Sequence, residues 1–249
     1  MPYSPPNDAA LDVLAFSPHP DDAELYCGGT LLALKRAGFR TGIADVTGGE
    51  LGTLGSPETR LAGSEAASAV LSLDARVRLG IPDCDTGNTR VNRLAVIRAL
   101  RALRPTTILV PPADERHPDH GRTSVLVHEA AFESGLEKIV TEVDGVPQAP
   151  HRPLRMYAYA MTWDMQVPPL LVDVSDFFER KMEAVRCYAS QFPVAGQENA
   201  ARTSISSPAF IEALIARARY LGFLIGVRYA EGFFPLQPFA VPAEMLCTP

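Results

Sequence analysis

The sequence predicts an α/β fold: a mostly parallel, Rossmann-like sheet with helices on both faces, followed by a small C-terminal α/β extension. Three observations predict it. An apolar run of strand length is followed by a segment of helical periodicity four times in succession, Gly, Pro and Asp cluster in the loops between them, and no internal repeat or low-complexity tract breaks the pattern. The first unit is a strand over residues 11–17 (LDVLAFS), a Pro-containing loop and a helix over 24–37 that stops at Gly38. The second is a strand over 41–47, a Gly-rich loop and a helix over 57–71 that opens on Pro57 and Glu58, residues suited to a helix start. The third runs from 75–79 through IPDCDTGN into 89–103, and the fourth from 106–110 through PPADERHPD into 120–136.

A polar, proline-bearing connection is expected over residues 140–155, then strands over 156–161 and 170–174 and amphipathic helices over 176–190 and 208–226. The Phe- and Pro-rich tail EGFFPLQPFAVPAEM is expected to close the chain against the body or a partner subunit. Residues 1–249 then form a single domain, with a core over 11–139 and an extension over 155–249.

Composition narrows the function classes. At 249 residues, 47% hydrophobic and 21% charged, the chain has the makeup of a soluble globular protein large enough to fold without disulfides. A net charge of −6 and a pI near 5.4 argue against a nucleic-acid partner, which calls for a basic face. Cys27, Cys84, Cys187 and Cys247 form no CxxC pair, which fits a reducing cytoplasm. No signal-like N-terminus and no run of 18 or more apolar residues is visible, so a cytoplasmic, membrane-free protein is expected.

In a parallel sheet the loops at the carboxyl ends of the strands gather along one edge, where ligands bind. Three of the five histidines fall in such loops: Pro18-His19-Pro20-Asp21-Asp22 after the first strand and Arg116-His117-Pro118-Asp119-His120 after the fourth. Neutral imidazole and carboxylate suit a borderline divalent ion, and three protein ligands with one open position is the usual hydrolytic zinc site. His19 and Asp22 from one loop and His120 from the other can supply that set. Fe(II) in the same set is also permitted by coordination chemistry. Asp21 is then placed to take a proton from water, His117 stands beside the third ligand, and Asp119 can orient an imidazole through its far nitrogen. Glu50 is expected to face a substrate from the second loop.

Each residue also has a plainer use. Asp21 or Asp22 alone would more commonly be a helix cap, Cys27 a small core filler, and His128 and His151 partly buried, hydrogen-bonded histidines. Arg90, Arg93, Arg101 and Arg104 repeat at helical spacing and are expected to form a solvated face. The loop GGELGTLGS is no dinucleotide fingerprint, because it follows the second strand and lacks GxGxxG.

AFSPHPDDAELYCGGTL, with ERHPDHGRTS a hundred residues on, resembles the LmbE/PIG-L family of metal-dependent N-deacetylases. DVSDFFERKMEAVRCYASQF and GVRYAEGFF resemble the branch that deacetylates N-acetylglucosaminyl malate in bacillithiol biosynthesis, although Leu54 and IPDCDTGN depart from that branch's pattern. The resemblance spans about residues 11–239. It implies a zinc-dependent deacetylase of a small N-acetyl sugar, with His19, Asp22 and His120 as ligands, Asp21 as general base and His117 as the second active-site histidine. It further implies that Arg60 grips substrate, that Arg116 and Arg152 border the pocket, and that the chain assembles as a homo-oligomer, with a hexamer common in that branch.

Overall fold

The computed structural model describes residues 10–162, 166–192, 203–241 and 243. The four βα units form as expected: β1 (Val13–Ser17) and α1 (Asp22–Arg36), β2 (Thr41–Asp45) and α2 (Pro57–Leu71), β3 (Ala75–Arg78) and α3 (Arg90–Leu103), β4 (Thr107–Val110) and α4 (Pro118–Glu133). Local chemistry sets the helix starts. Ser56 and Thr59 close a capping box ahead of Pro57, and the Thr89 hydroxyl accepts from the Asn92 amide at 3.2 Å.

The connection after α4 contains a two-residue hairpin, β5 (Glu142–Val143) with β6 (Val146–Pro147), which the turn-rich sequence did not announce. Then come β7 (Arg155–Tyr159), β8 (Leu170–Asp173), α5 (Phe178–Arg186), α6 (Pro208–Leu224) and β9 (Ala230–Pro235). The sheet order is β3-β2-β1-β4-β7-β9-β8. Strands β3, β2, β1, β4 and β7 run parallel, while β9 is antiparallel to both neighbours. The expected tail is therefore corrected in part: residues 230–235 form a strand inserted between β7 and β8, and most of the tail past 241 lies outside the described residues.

Alternation along β1 sorts the core into two layers. Val13 and Ala15 face α1, α2, α5 and α6 with Leu31, Leu71, Met182 and Phe210, whereas Leu14 and Phe16 face α3 and α4 with Val96, Leu100 and Leu126. Strands covered on both faces read as continuous apolar runs, and all five residues of β1 are buried. The solvated arginine face is a second correction for two of its four residues, Arg90 and Arg104 being exposed as expected. Arg101 is buried and donates to the carbonyls of Ser134, Leu136 and Ile139, while Arg93 pairs with Glu133 at 3.0 Å. Those arginines bind α3 to the α4 end of the chain. Among the described residues no helix is long and apolar enough to cross a membrane.

Candidate active site

The strand order reverses beside β1, since β1 is flanked by β2 and β4. The crevice outside this switch point receives the loops after β1 and β4. Ser17 shapes the first loop: its hydroxyl donates to the His19 carbonyl at 2.6 Å and accepts from the Ala23 amide at 3.0 Å. The start of α1 is thus capped by Ser17, and Asp21 at the N-cap position makes no side-chain cap bond. Asp21 also has φ 128°, a strained value for a residue with a Cβ, and its Oδ2 is buried with no hydrogen-bond partner. The plain reading of Asp21 as a helix cap is therefore excluded.

His19, Asp22 and His120 do converge. Asp22 Oδ2 lies 3.3 Å from His19 Nδ1 and 3.3 Å from His120 Nε2. Donors about 2.0–2.1 Å from a tetrahedral ion sit about 3.3–3.4 Å apart, so the separations of Asp22 from each of the two imidazoles match edges of one coordination shell. The far nitrogens are backed by carboxylates. His19 Nε2 lies 3.2 Å from Asp83 Oδ1 and 3.3 Å from Asp119 Oδ2, and His120 Nδ1 lies 3.0 Å from Glu115 Oε2. Carboxylates behind imidazole ligands are the usual support of a metal-binding histidine, so the donor set and its surroundings both fit a divalent cation. His117 joins His19 and His120 in a cluster of three imidazoles. It caps α4, its Nδ1 accepting from the Asp119 amide at 3.3 Å, which leaves the ring proton on Nε2.

The charges are strongly perturbed. Burial, reinforced by the neighbouring Asp22 charge and opposed by Arg60, pushes the Asp21 carboxyl up to about 8. Burial acts the same way on Asp22, but the facing His120 and His19 outweigh it and hold that carboxylate well below its usual range. On His120 burial favours the neutral ring, yet Asp22 and Glu115 prevail and raise it to about 9. His19 is likewise raised against its burial by Asp119, Asp22 and Asp83. His117 is lowered by burial and by the two neighbouring rings. A divalent ion binds imidazole in its neutral form, so its binding here would oppose these upward shifts and release protons.

The other expected residues divide. Asp119 is buried and lies against His19, with Oδ1 also accepting from the Thr86 hydroxyl at 2.7 Å. Arg60 is buried, with Nη1 3.7 Å from Asp21 Oδ2 and donating to the Pro20 carbonyl at 3.3 Å. The glycines of the second loop serve this arginine: a Cβ on Gly52 would stand 2.6 Å from its Nη2, and one on Gly49 3.0 Å from its Nη1. Arg116 lines the cleft mouth and donates to the Ser204 hydroxyl at 3.3 Å.

Two placements are corrections. Glu50 accepts from the Asp83 amide at 2.7 Å and the Gly48 amide at 3.2 Å, so both its oxygens bind backbone and tie the second loop to the third. Arg152 precedes β7, covers the Phe132 ring at 4.3 Å and donates to the Phe132 carbonyl, at the C-terminal end of α4 and away from the cleft. His151 is occupied by the Pro105 carbonyl at 2.8 Å, as its plainer reading expects. Asp83 and Glu115 were not singled out by sequence reasoning. Their signal was position: Asp83 stands in the loop after β3, on the same edge, and Glu115 two residues before His117.

The cleft has a volume of about 280 Å³. The His/Asp cluster forms one wall, and Leu25, Tyr26, Met161, Ile205 and Phe210 give the other an apolar character.

Residues 14–131, which carry every member of the His/Asp cluster, match the family described as PIG-L: GlcNAc-PI de-N-acetylase. The chain belongs to the PIG-L/LmbE family. The diacetylchitobiose deacetylase of Thermococcus kodakarensis is 29% identical over 245 residues, covering 92% of this chain and 86% of that protein. A probable N-acetyl-alpha-D-glucosaminyl L-malate deacetylase 2 of Bacillus anthracis is 27% identical over 198 residues, covering 72% of this chain and 81% of its own. The crystal structure of the conserved protein TT1542 from Thermus thermophilus is similar with a TM-score of 0.81 at 38% identity, covering 94% of this chain and 98% of that one. As a PIG-L/LmbE protein the chain has its family match in β1 to α4, while Met161 after β7, Gln191 after α5, Thr203 to Ile205 and Phe210 of α6 line the cleft from beyond the matched residues.

Proposed function

We propose that this chain is a metal-dependent N-deacetylase that releases acetate from an N-acetylglucosamine-type sugar. The observation that carries the reading is Asp21, a buried carboxylate with one oxygen that makes no hydrogen bond and its backbone strained, next to Asp22 of the His19, Asp22 and His120 donor set. A divalent ion held by those three residues, zinc by preference and Fe(II) as the alternative, supplies a Lewis acid for the amide carbonyl and lowers the pKa of water from 15.7 toward ~7.

The chain's own groups do the rest. Asp21, buried beside Asp22 with Arg60 3.7 Å away, takes the proton as water attacks and passes it to the departing amine. His117 offers its Nε2–H to the oxygen on which negative charge develops. Asp119 keeps His19 in one orientation through Nε2. Arg60 steadies Asp21 from 3.7 Å.

For the substrate, a neutral chito-disaccharide is the first reading. The Thermococcus relative covers more of the chain than the malate deacetylase does, and Arg60 is turned toward Asp21. An acidic aglycone such as malate is the second reading, favoured by Arg116 at the cleft mouth. Protein stripped by a chelator and reloaded with zinc, or with Fe(II) under anaerobic conditions, is assayed for acetate release from diacetylchitobiose, N-acetylglucosamine and N-acetylglucosaminyl malate. Metal-dependent release, fastest from diacetylchitobiose, is expected. No acetate from any of the three with metal bound would end the deacetylase reading, and faster release from the malate conjugate would replace the first substrate by the second.

A further inference from the structure

Asp83 stands where two parts of the site meet. Its Oδ1 lies 3.2 Å from His19 Nε2 and accepts from the Cys84 amide at 3.0 Å. Its Oδ2 accepts from the Leu51 amide at 3.0 Å, in the loop that forms the cleft rim with Gly49, Gly52 and Thr53. The Asp83 amide is in turn held by Glu50 at 2.7 Å. The side chain is only 6% exposed, and Cys84 beside it has φ 64°, so the loop is bent to deliver this carboxylate inward.

We propose that Asp83 is a positioning residue that fixes the His19 imidazole through one oxygen and the substrate rim through the other, so that ligand geometry and rim position are set together. The inference rests on the reading of His19 as a metal ligand. A carboxylate accepting from the far ring nitrogen fixes the tautomer and makes the near nitrogen a stronger donor, and loss of such a partner typically weakens metal binding about 10–100-fold. Asp119 still accepts from the same Nε2, so the effect of removing Asp83 falls near the lower end. The rim effect is separate in kind. Losing the Leu51 anchor disorders a wall of the cleft and acts on substrate binding even when metal is saturating.

The test compares Asp83→Ala and Asp83→Asn with wild type. Zinc affinity is measured by competition with a chromophoric chelator, the Co(II)-loaded proteins are compared by visible absorption, and KM and kcat are measured at saturating zinc. Asp83→Ala is expected to weaken zinc binding about tenfold, alter the Co(II) spectrum and raise KM. Asp83→Asn, whose amide oxygen can still accept from His19 without the charge, is expected to weaken zinc less while KM rises similarly. Gly29→Ala, a packing defect two turns along α1 from Asp22, serves as a destabilised control and should leave zinc affinity and KM at wild-type values. Zinc affinities within twofold of wild type for both Asp83 variants, or an unchanged KM, would overturn the proposal while leaving the deacetylase reading in place. A wild-type protein that binds no divalent ion would overturn both.

Discussion

Burying a carboxylate oxygen without a hydrogen bond is costly, and a non-glycine residue at φ 128° adds backbone strain, so Asp21 is held where it is by its surroundings rather than by its own preferences. If it moves the proton, Asp21→Asn should keep one zinc per chain and lower kcat by on the order of 10²–10⁴. Metal analysis and acetate release on the same preparation check this, and full turnover with metal retained would remove Asp21 from the reaction. Asp22→Ala should instead lose zinc, because Asp22 supplies the oxygen that lies 3.3 Å from both imidazoles. His19, Asp21, Asp22 and His120 were legible in the sequence because loop contents and topology alone bring them to one edge. Asp83 and Glu115 were not: both stand on the same edge, but neither lies inside a His-Pro-Asp motif as Asp119 does, and only the distance to the ring marks their role. Arg152 was expected at the pocket from the resemblance alone; it precedes β7, a parallel strand, so it sits at the sheet end opposite the cleft and stacks on Phe132 instead.

At the scale of elements, α1 carries the catalytic loop at its start and is gripped from behind in its middle. Glu231 of β9 accepts from the Gly29 amide at 3.0 Å and the Thr30 amide at 2.7 Å, and Lys181 of α5 pairs with it at 2.7 Å, both side chains almost wholly buried. Gly29 is small because Val174 presses on it: a Cβ there would stand 2.8 Å from the Val174 Cβ, whereas one on Gly28 meets nothing nearer than 3.4 Å. Gly28→Ala should therefore stabilise by up to about 1 kcal/mol through helix propensity. Gly29→Ala should destabilise by about 1 kcal/mol, the overpacking of ~1–3 kcal/mol exceeding that gain. Urea denaturation of the two variants checks the opposite signs. Lys181→Met leaves Glu231 buried with two amide donors but no counter-charge, and a loss of about 3 kcal/mol is expected; a loss below about 1 kcal/mol would show that the amides alone suffice. None of this was legible beforehand. Glu231 opens a stretch whose prolines and phenylalanines read as an irregular tail, and the pairing of β9 with β7 on one side and β8 on the other is a long-range contact without a local pattern.

Over the whole molecule, the division into a core at 11–139 and an extension at 155–249 follows the chain but not the packing. Strand β7 pairs with β4 in register Thr107↔Arg155, continuing the parallel sheet, and β9 then β8 complete it. The core layer over α1 is filled by Tyr159, Phe178, Tyr188 and Phe210, all from the second half. Tyr188 also enters the buried network of the first half: it donates to Glu24 at 2.7 Å, and Arg76 joins Glu24 at 2.6 Å and grips Asp45 through two bonds of 2.7 Å. A fragment ending at residue 139 would expose the β4 edge, strip the aromatic cover from α1 and leave Lys181 and Glu231 behind. The expected outcome is one cooperative calorimetric transition for the full chain, with calorimetric and van't Hoff enthalpies in agreement, and no cooperative transition for the 1–139 fragment. Two resolved transitions, or a fragment that melts cooperatively and binds zinc, would mean that the ligand-bearing half is an autonomous unit and that the extension only walls the cleft. Zinc should raise the Tm of the full chain as a whole, since an ion bound to the native state alone stabilises everything that unfolds with it. In the two-unit case only the transition containing His19, Asp22 and His120 would move, so the same scans with and without metal decide how far the site's stability reaches into the second half.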